Sequence, residues 1–367
     1  MSDQQGRSLE DLRAETQARA DRNAYPLIGL DPADVRSVLA SLKTIDRDEW
    51  AQAWSVPAER YRKNGDHVAA WRYYSFARWP VPLDSPKKQR AYEDAIAAYL
   101  SHAGTLEPRL EVLRIPFEGK EIVTYLRLPK ARGPVPFVVA ISGLDSTKED
   151  LAERFAPLLE SGVGFATFDM PGKGQAPIKL APGAERMFSV AMDQLLRRPE
   201  IDASRVAIYG GSFGGYWGCK LAVTERERVL GVVVQSPPVH AFFSRDFAAT
   251  AFSNTEYLFD LAPAMMSLYE GVETPDDYLR VIPEHSLVAQ GFVGKPTAPM
   301  LVIAGVGDTQ VPIADIDLLL HSGETPKEAW INPAGGHMGR QAQGWRDPVI
   351  FAKVTTPWIL RNLGMPS

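Results

Sequence analysis

The chain is short of several things, and each shortage excludes something. A single cysteine, Cys219, stands among 367 residues. No intramolecular disulfide can form, so nothing demands an oxidising compartment. Long apolar runs are missing too. The longest uncharged stretch near the middle, VLGVVVQSPPVHAFFS, is broken by two prolines, a glutamine and a histidine, and is too short to span a bilayer. The N-terminal MSDQQGRSLEDLRAETQARADR is polar throughout and does not read as a secretory signal. A net charge of -5 argues against a nucleic-acid surface, which needs a dense positive patch. There is no zinc-ligand spacing, no phosphate-cradling loop ending in Lys-Ser/Thr, and no dinucleotide fingerprint. The expectation is a cytoplasmic protein acting on a small molecule, with no metal, no cofactor, and neither nucleic acid nor membrane as partner.

What is present divides by texture. At 367 residues, the length suits two domains, or one large domain with an appendage. Residues 1–105 read as an N-terminal helical cap region, with helix-spaced Val35, Val38, Leu39 and Leu42. Prolines at 57, 80, 82 and 86 are expected to break this region into short helices. Residues 106–367 read as a catalytic domain. LEVLRIPF and EIVTYLRLP form a hairpin around Glu118-Gly119-Lys120. Apolar strands (PFVVAIS, GFATFD, RVAIYG, LGVVVQ, MLVIAG, EAWIN) then alternate with amphipathic helices. That alternation predicts an α/β fold, a mostly parallel sheet flanked by helices. Residues 237–295 interrupt the rhythm with many aromatics and read as an inserted helical lid.

The central motif is Gly210-Gly211-Ser212-Phe213-Gly214 between the strand RVAIYG and the helix YWGCKLAVTERE. A serine on so sharp a strand-to-helix turn takes a strained backbone, and glycines two residues to either side avoid collision. Ser212 is therefore the candidate nucleophile. A serine needs a base, and the chain has six histidines. His337, in the loop Asn332-Pro333-Ala334-Gly335-Gly336-His337 after the final strand, fits the order Ser, acid, His of the α/β-hydrolase fold. His285, in the lid, and His321, at a helix end, fit less well. Asp308, directly after MLVIAG, is the candidate acid, while Asp315 and Asp317 are expected on a solvated helix face. Oxyanion donors are expected from the N–H of Phe213 and from the loop Ser142-Gly143-Leu144-Asp145, with Leu144 preferred and Gly143 second.

Other residues invite weaker readings. Lys173, in Asp169-Met170-Pro171-Gly172-Lys173-Gly174, could meet an acidic substrate or be structural. Cys219 reads as buried packing. The aromatics of the lid, with Trp71, Tyr73 and Tyr74, suggest a flat, apolar or aromatic substrate; Trp217, His240 and Phe243 join them as candidate substrate contacts. Ordinary helix packing is the competing reading for each.

Three features together carry a family resemblance: Gly143-Leu144-Asp145-Ser146-Thr147-Lys148-Glu149, the Asp-x-Pro-Gly-x-Gly run at 169–174, and the Gly-Gly-Ser-Phe-Gly-Gly elbow. They resemble the FrsA-like α/β-hydrolases, a group that includes 2,6-dihydroxypseudooxynicotine hydrolases and the Ayg1-type polyketide-shortening hydrolases. Trp71-Arg72-Tyr73-Tyr74-Ser75-Phe76-Ala77 resembles their helical N-terminal region. The resemblance implies helices packed over the catalytic domain, action on esters or on C–C bonds beside carbonyls, a homodimer, and a triad of Ser212, Asp308 and His337. Two other readings compete with hydrolysis: acyl transfer, cyclisation or lysis on the same triad, and a non-catalytic ligand-binding protein on a hydrolase scaffold.

Overall fold

The computed structural model describes residues 8–83 and 85–366. In chain order its helices and strands are α1 (Leu9–Asp21), α2 (Pro32–Ser41), α3 (Arg47–Lys63), α4 (His67–Ala77), α5 (Pro86–Ala103), β1 (Glu111–Phe117), β2 (Lys120–Arg127), β3 (Val135–Ile141), α6 (Lys148–Phe155), β4 (Gly164–Phe168), α7 (Arg186–Leu195), β5 (Ile201–Gly211), α8 (Phe213–Thr224), β6 (Gly231–Gln235), α9 (Arg245–Ala251), α10 (Leu261–Met266), α11 (Pro275–Val281), β7 (Met300–Gly305), α12 (Ile313–Leu320), β8 (Lys327–Asn332), α13 (Asp347–Ile350) and α14 (Thr356–Asn362). Two compact units result. One holds the residues up to Arg109 together with Phe252–Ser267; the other holds Leu110–Ala251 and the chain from Leu268 onward.

The helical unit starts its helices with side-chain caps. Asp31, Asp46, Asp66 and Ser85 each accept a backbone N–H at the start of α2, α3, α4 and α5, satisfying donors that have no partner within the helix. Pro57 does not break the chain: it lies inside α3. A mid-helix proline costs about 3 kcal/mol. Here Trp50 and Trp54, on the buried face of the same helix, pack on Phe76 with ring centroids 5.2 and 4.5 Å away, and burying such rings offsets that cost. The segment 252–267 joins this core through Phe259, stacked on Trp50 at 4.7 Å. Its Asp260 carboxylate binds Arg47 at 3.0 Å and the buried Lys88 at 3.1 Å.

In the other unit, among the described residues, eight strands form one sheet in the order β1-β2-β4-β3-β5-β6-β7-β8. β2 runs antiparallel to both of its neighbours, β1 and β4, and the strands from β4 across to β8 are parallel to one another. Burial follows position. Every residue of β3, β4, β6 and β7 is buried, whereas the edge strands β1 and β8 alternate or stay half-exposed. That is the pattern of a sheet covered by helices on both faces. This is the α/β-hydrolase architecture, with a helical insertion between β6 and β7. Among the described residues, no helix is long and apolar enough to cross a membrane.

Within the insertion, His285 is buried, its ring 4.8 Å from that of Tyr269, with Nδ1 unpartnered. Burial, and secondarily the charge of Lys220, holds its pKa down at about 4 from an ordinary 6.5. Between those two values the unfolded chain binds the proton and the folded chain does not, so stability falls as the pH drops through that window. Thermal melts of the wild type and His285→Leu between pH 7 and pH 4.5 should show a smaller acid-induced fall in Tm for the variant. Parallel curves would contradict this assignment.

Candidate active site

Four loops meet at the carboxyl ends of the parallel strands. β5 ends at Gly211 and α8 starts at Phe213, so Ser212 alone makes the turn. Its backbone is φ 54, ψ -126, a left-handed value that costs a serine about 1–3 kcal/mol. The glycines beside it are required by space. A Cβ on Gly210 would lie 2.1 Å from the Gly214 carbonyl oxygen, and one on Gly214 would lie 2.3 Å from that of Ile141.

The loop after β8 brings His337 Nε2 to 2.9 Å from Ser212 Oγ. Its Nδ1 lies 2.9 Å from Asp308 Oδ2, in the loop after β7. Asp308 also accepts the backbone N–H groups of Gln310 and Val311. Burial pushes its carboxyl up, but His337 and these donors outweigh it and hold the pKa below the ordinary carboxylate value. An ionised carboxylate can only accept, so Nδ1 carries the proton and Nε2 offers its lone pair to the serine hydroxyl. The structure thus brings Ser212, His337 and Asp308 into one chain of hydrogen bonds.

The loop after β3 is spent donor by donor. Ser142 N–H goes to the Phe168 carbonyl and Gly143 N–H to Ser146 Oγ at 3.1 Å. Gly143, the second candidate donor, is therefore already committed. The Leu144 N–H has no partner among the described residues, and Phe213, first in its helix, has an N–H with no intrahelical acceptor. Gly143 stands against the nucleophile: a Cβ on it would be 3.2 Å from Ser212 Cβ and 3.7 Å from Phe213 N.

Several side chains that hold these loops escaped the sequence reading. Gln235 and Ser236, which follow Val232-Val233-Val234 at the end of β6, grip both backbone groups of Met338: Gln235 Nε2 donates to its carbonyl at 2.8 Å, and Ser236 Oγ accepts its N–H at 2.9 Å. Two polar residues closing an apolar strand were the available signal. Asp315 corrects an expectation outright. It is fully buried, and its carboxylate accepts N–H groups from Val239 at 2.8 Å, His240 at 2.9 Å, Ala241 and Phe242. Only Asp317 is exposed. Asp315 so anchors the segment whose Phe242 and Phe243 pack edge-on against Phe213, with centroids 5.7 and 6.1 Å away.

The candidate substrate contacts fall into two groups. Trp71, Tyr73 and Tyr74 are buried in the helical unit. Trp71 packs on Tyr99 at 5.1 Å, the Tyr73 hydroxyl accepts Asp31 N–H and donates to Asp34, and Tyr74 donates to Glu59. Trp217 and Phe243 are buried in the sheet-containing unit, both ringed around Tyr216. His240 is exposed, with Nδ1 2.7 Å from Ser286 Oγ. Lys173 is buried and bonded to backbone rather than free for an acidic substrate. Cys219 is packed, and burial pushes its thiol far above the ordinary range, the wrong direction for a nucleophile. Among the described residues, no three His, Cys, Asp or Glu side chains are grouped as metal ligands.

Comparison with known proteins decides the family. The model of the FrsA-like esterases matches residues 46–333. The chain belongs to the FrsA-like esterase family. That family is one of esterases. Esterase FrsA of Enterobacter sp. (strain 638) is 30% identical over 272 residues, 69% of this chain. The match spans 64% of that relative, under two thirds of its length. Among solved structures, wild-type AbyA5 superposes with a TM-score of 0.77 at 22% identity, covering 98% of this chain and 95% of that one. The 2,6-dihydroxy-pseudo-oxynicotine hydrolase superposes at 0.71 and 22%, covering 94% and 95%. At that identity the likeness is one of fold.

The anchoring role of Asp315 is measurable. Asp315→Ala leaves four N–H groups unpaired, two of them, on Val239 and Phe242, in buried bonds, and each buried group so orphaned costs about 1–3 kcal/mol. Denaturant unfolding should show a loss of at least about 2 kcal/mol, against about 0.5 kcal/mol or less for Asp317→Ala. Equal effects at the two positions would refute the anchor.

Proposed function

We propose that this FrsA-like esterase is a serine hydrolase of carboxylic esters, with Ser212 as nucleophile, His337 as general base and acid, and Asp308 as the carboxylate that orients the imidazole. The supporting observation is His337 bridging Ser212 and Asp308 through its two ring nitrogens. His337 Nε2 takes the hydroxyl proton as Ser212 Oγ attacks the ester carbonyl. The oxyanion so formed is met by the N–H groups of Phe213 and Leu144, and each such donor is commonly worth about 10²–10³ in rate. Protonated His337 then gives its proton to the departing alkoxide, leaving an acyl-enzyme. Water, deprotonated by the same nitrogen, releases the acid and restores the serine.

The aromatic surroundings of Phe213 favour an apolar acyl or aryl group over a charged one. An ester leaves as an alkoxide that His337 can protonate directly. Cleavage of an aryl ketone would expel a carbanion, which needs a neighbouring carbonyl or electron-rich ring for delocalisation.

A panel of aryl esters and matched aryl ketones tests the reading, with product masses recorded. Ester turnover with addition of one water is expected, and Ser212→Ala or His337→Ala should lower kcat/KM by at least about 10⁴. Asp308→Asn should lower kcat by about 10³–10⁴, because an amide no longer fixes the protonated Nδ1. Full activity in Ser212→Ala would overturn the assignment. Products carrying an added alcohol in place of water would identify an acyltransferase, and turnover of the ketones alone would identify a C–C hydrolase.

A further inference from the structure

The peptide between Gly143 and Leu144 is held from behind by a buried ammonium. Lys173 Nζ donates to the Gly143 carbonyl at 3.0 Å, and Lys173 is 4% exposed. That peptide is trans, so its C=O and its N–H point in opposite directions across one conjugated bond. The opposed N–H is that of Leu144. A charged group on the carbonyl therefore sits directly behind the candidate oxyanion donor.

We infer that Lys173 is a positioning residue of the oxyanion hole, acting through the Gly143–Leu144 peptide. This rests on the reading of Ser212 as nucleophile. The ammonium draws electron density toward the carbonyl oxygen and leaves the Leu144 N–H more positive, since hydrogen bonds on the two ends of an amide strengthen one another. It also fixes the peptide plane, so the donor is oriented before charge develops on the substrate. The ammonium itself never touches substrate.

The choice of a lysine is what demands a function. A backbone or amide N–H could hold a carbonyl without the cost of burying a charge. Here the charge is maintained by a buried group that sums to zero: Lys173, Lys148, Asp169 and Glu149 are all nearly inaccessible. Lys148 Nζ lies 3.0 Å from Asp169 Oδ2 and 2.9 Å from Glu149 Oε1. Tyr125 donates to Glu149 Oε1 at 2.8 Å, and Gln175 N–H donates to Asp169 Oδ2 at 3.0 Å. Burial pushes the Asp169 carboxyl up, and the charges of Lys148 and Lys173 outweigh it and keep it ionised. Asp169 so balances Lys173 electrostatically, and the Lys173 ammonium points at the oxyanion loop.

The test compares Lys173→Met, Lys173→Gln and Lys173→Arg in the full chain, on an aryl ester, with Tm measured for each. Inhibition by an aryl trifluoromethyl ketone, whose hydrate-like adduct carries the oxyanion, is measured beside inhibition by an uncharged ground-state amide. Lys173→Met should lower kcat about 10–100-fold with KM within about twofold, and should weaken the trifluoromethyl ketone by the same factor while sparing the amide. Gln, a neutral donor, should fall between Met and wild type, and Arg should restore most of the rate. If Lys173→Met fails to fold, the Gln-to-Arg comparison carries the test. Wild-type kcat in folded Lys173→Met or Lys173→Gln, or equal losses for the ketone and the amide, would overturn the inference. Ser212→Ala separates the two levels: if it is inactive while Lys173→Met is fully active, only this inference falls; if it is active, the parent reading falls with it.

Discussion

One backbone turn sets the terms for the rest of the site. At Ser212 the chain passes from a central strand to a buried helix through a single residue at φ 54. The strain is of order 1–3 kcal/mol and is offset by what the turn joins. β5 lies between β3 and β6 in the middle of the sheet, and α8 is buried on nearly every face. Shifting the turn would uncouple both from the core. The glycine-only contacts at 210 and 214 follow from the same closeness of strand, turn and helix.

Around that turn, polar side chains hold neighbouring loops by their backbone groups rather than by each other. Gln235 and Ser236 hold the histidine loop at Met338, Asp315 holds 239–242, and Lys173 holds 143. Each strap joins residues far apart in sequence, and Ser236 also hydrogen-bonds the Asp308 carboxylate. Such straps satisfy buried backbone groups that would otherwise cost about 1–3 kcal/mol apiece. They also restrict the loops to one geometry, as preorganised stabilisation of charge requires.

The parts of the fold carried by local pattern were legible in the sequence. The hairpin at 118–120, the apolar strands and the glycine-flanked serine are all local signals, and each appears where the pattern put it. His337 and Asp308 could be chosen because each follows a strand. What escaped was non-local. Asp315 reads as a surface helical residue until four N–H groups arrive from residues 239–242. Lys173 reads as a loop cation until a buried carboxylate balances it. Pro57 reads as a helix breaker until two tryptophans on the same helix anchor it. Tyr73 and Tyr74, candidate ligand aromatics with helix packing as the competing reading, have their hydroxyls bonded within the helical unit. For Asp315, Lys173 and Pro57, tertiary burial reversed the ordinary preference of a residue type.

The family places the chain among esterases, and the central claim is that acyl transfer passes through Ser212 Oγ. It is tested most directly by mixing the enzyme with an activated aryl ester, quenching in acid within the first turnover, and mapping the adduct by peptide mass spectrometry. The account predicts one acyl group on the peptide containing Ser212, abolished in Ser212→Ala and accumulating in a variant slowed in deacylation. Turnover with no acyl adduct at Ser212, or an adduct on another residue, would contradict it.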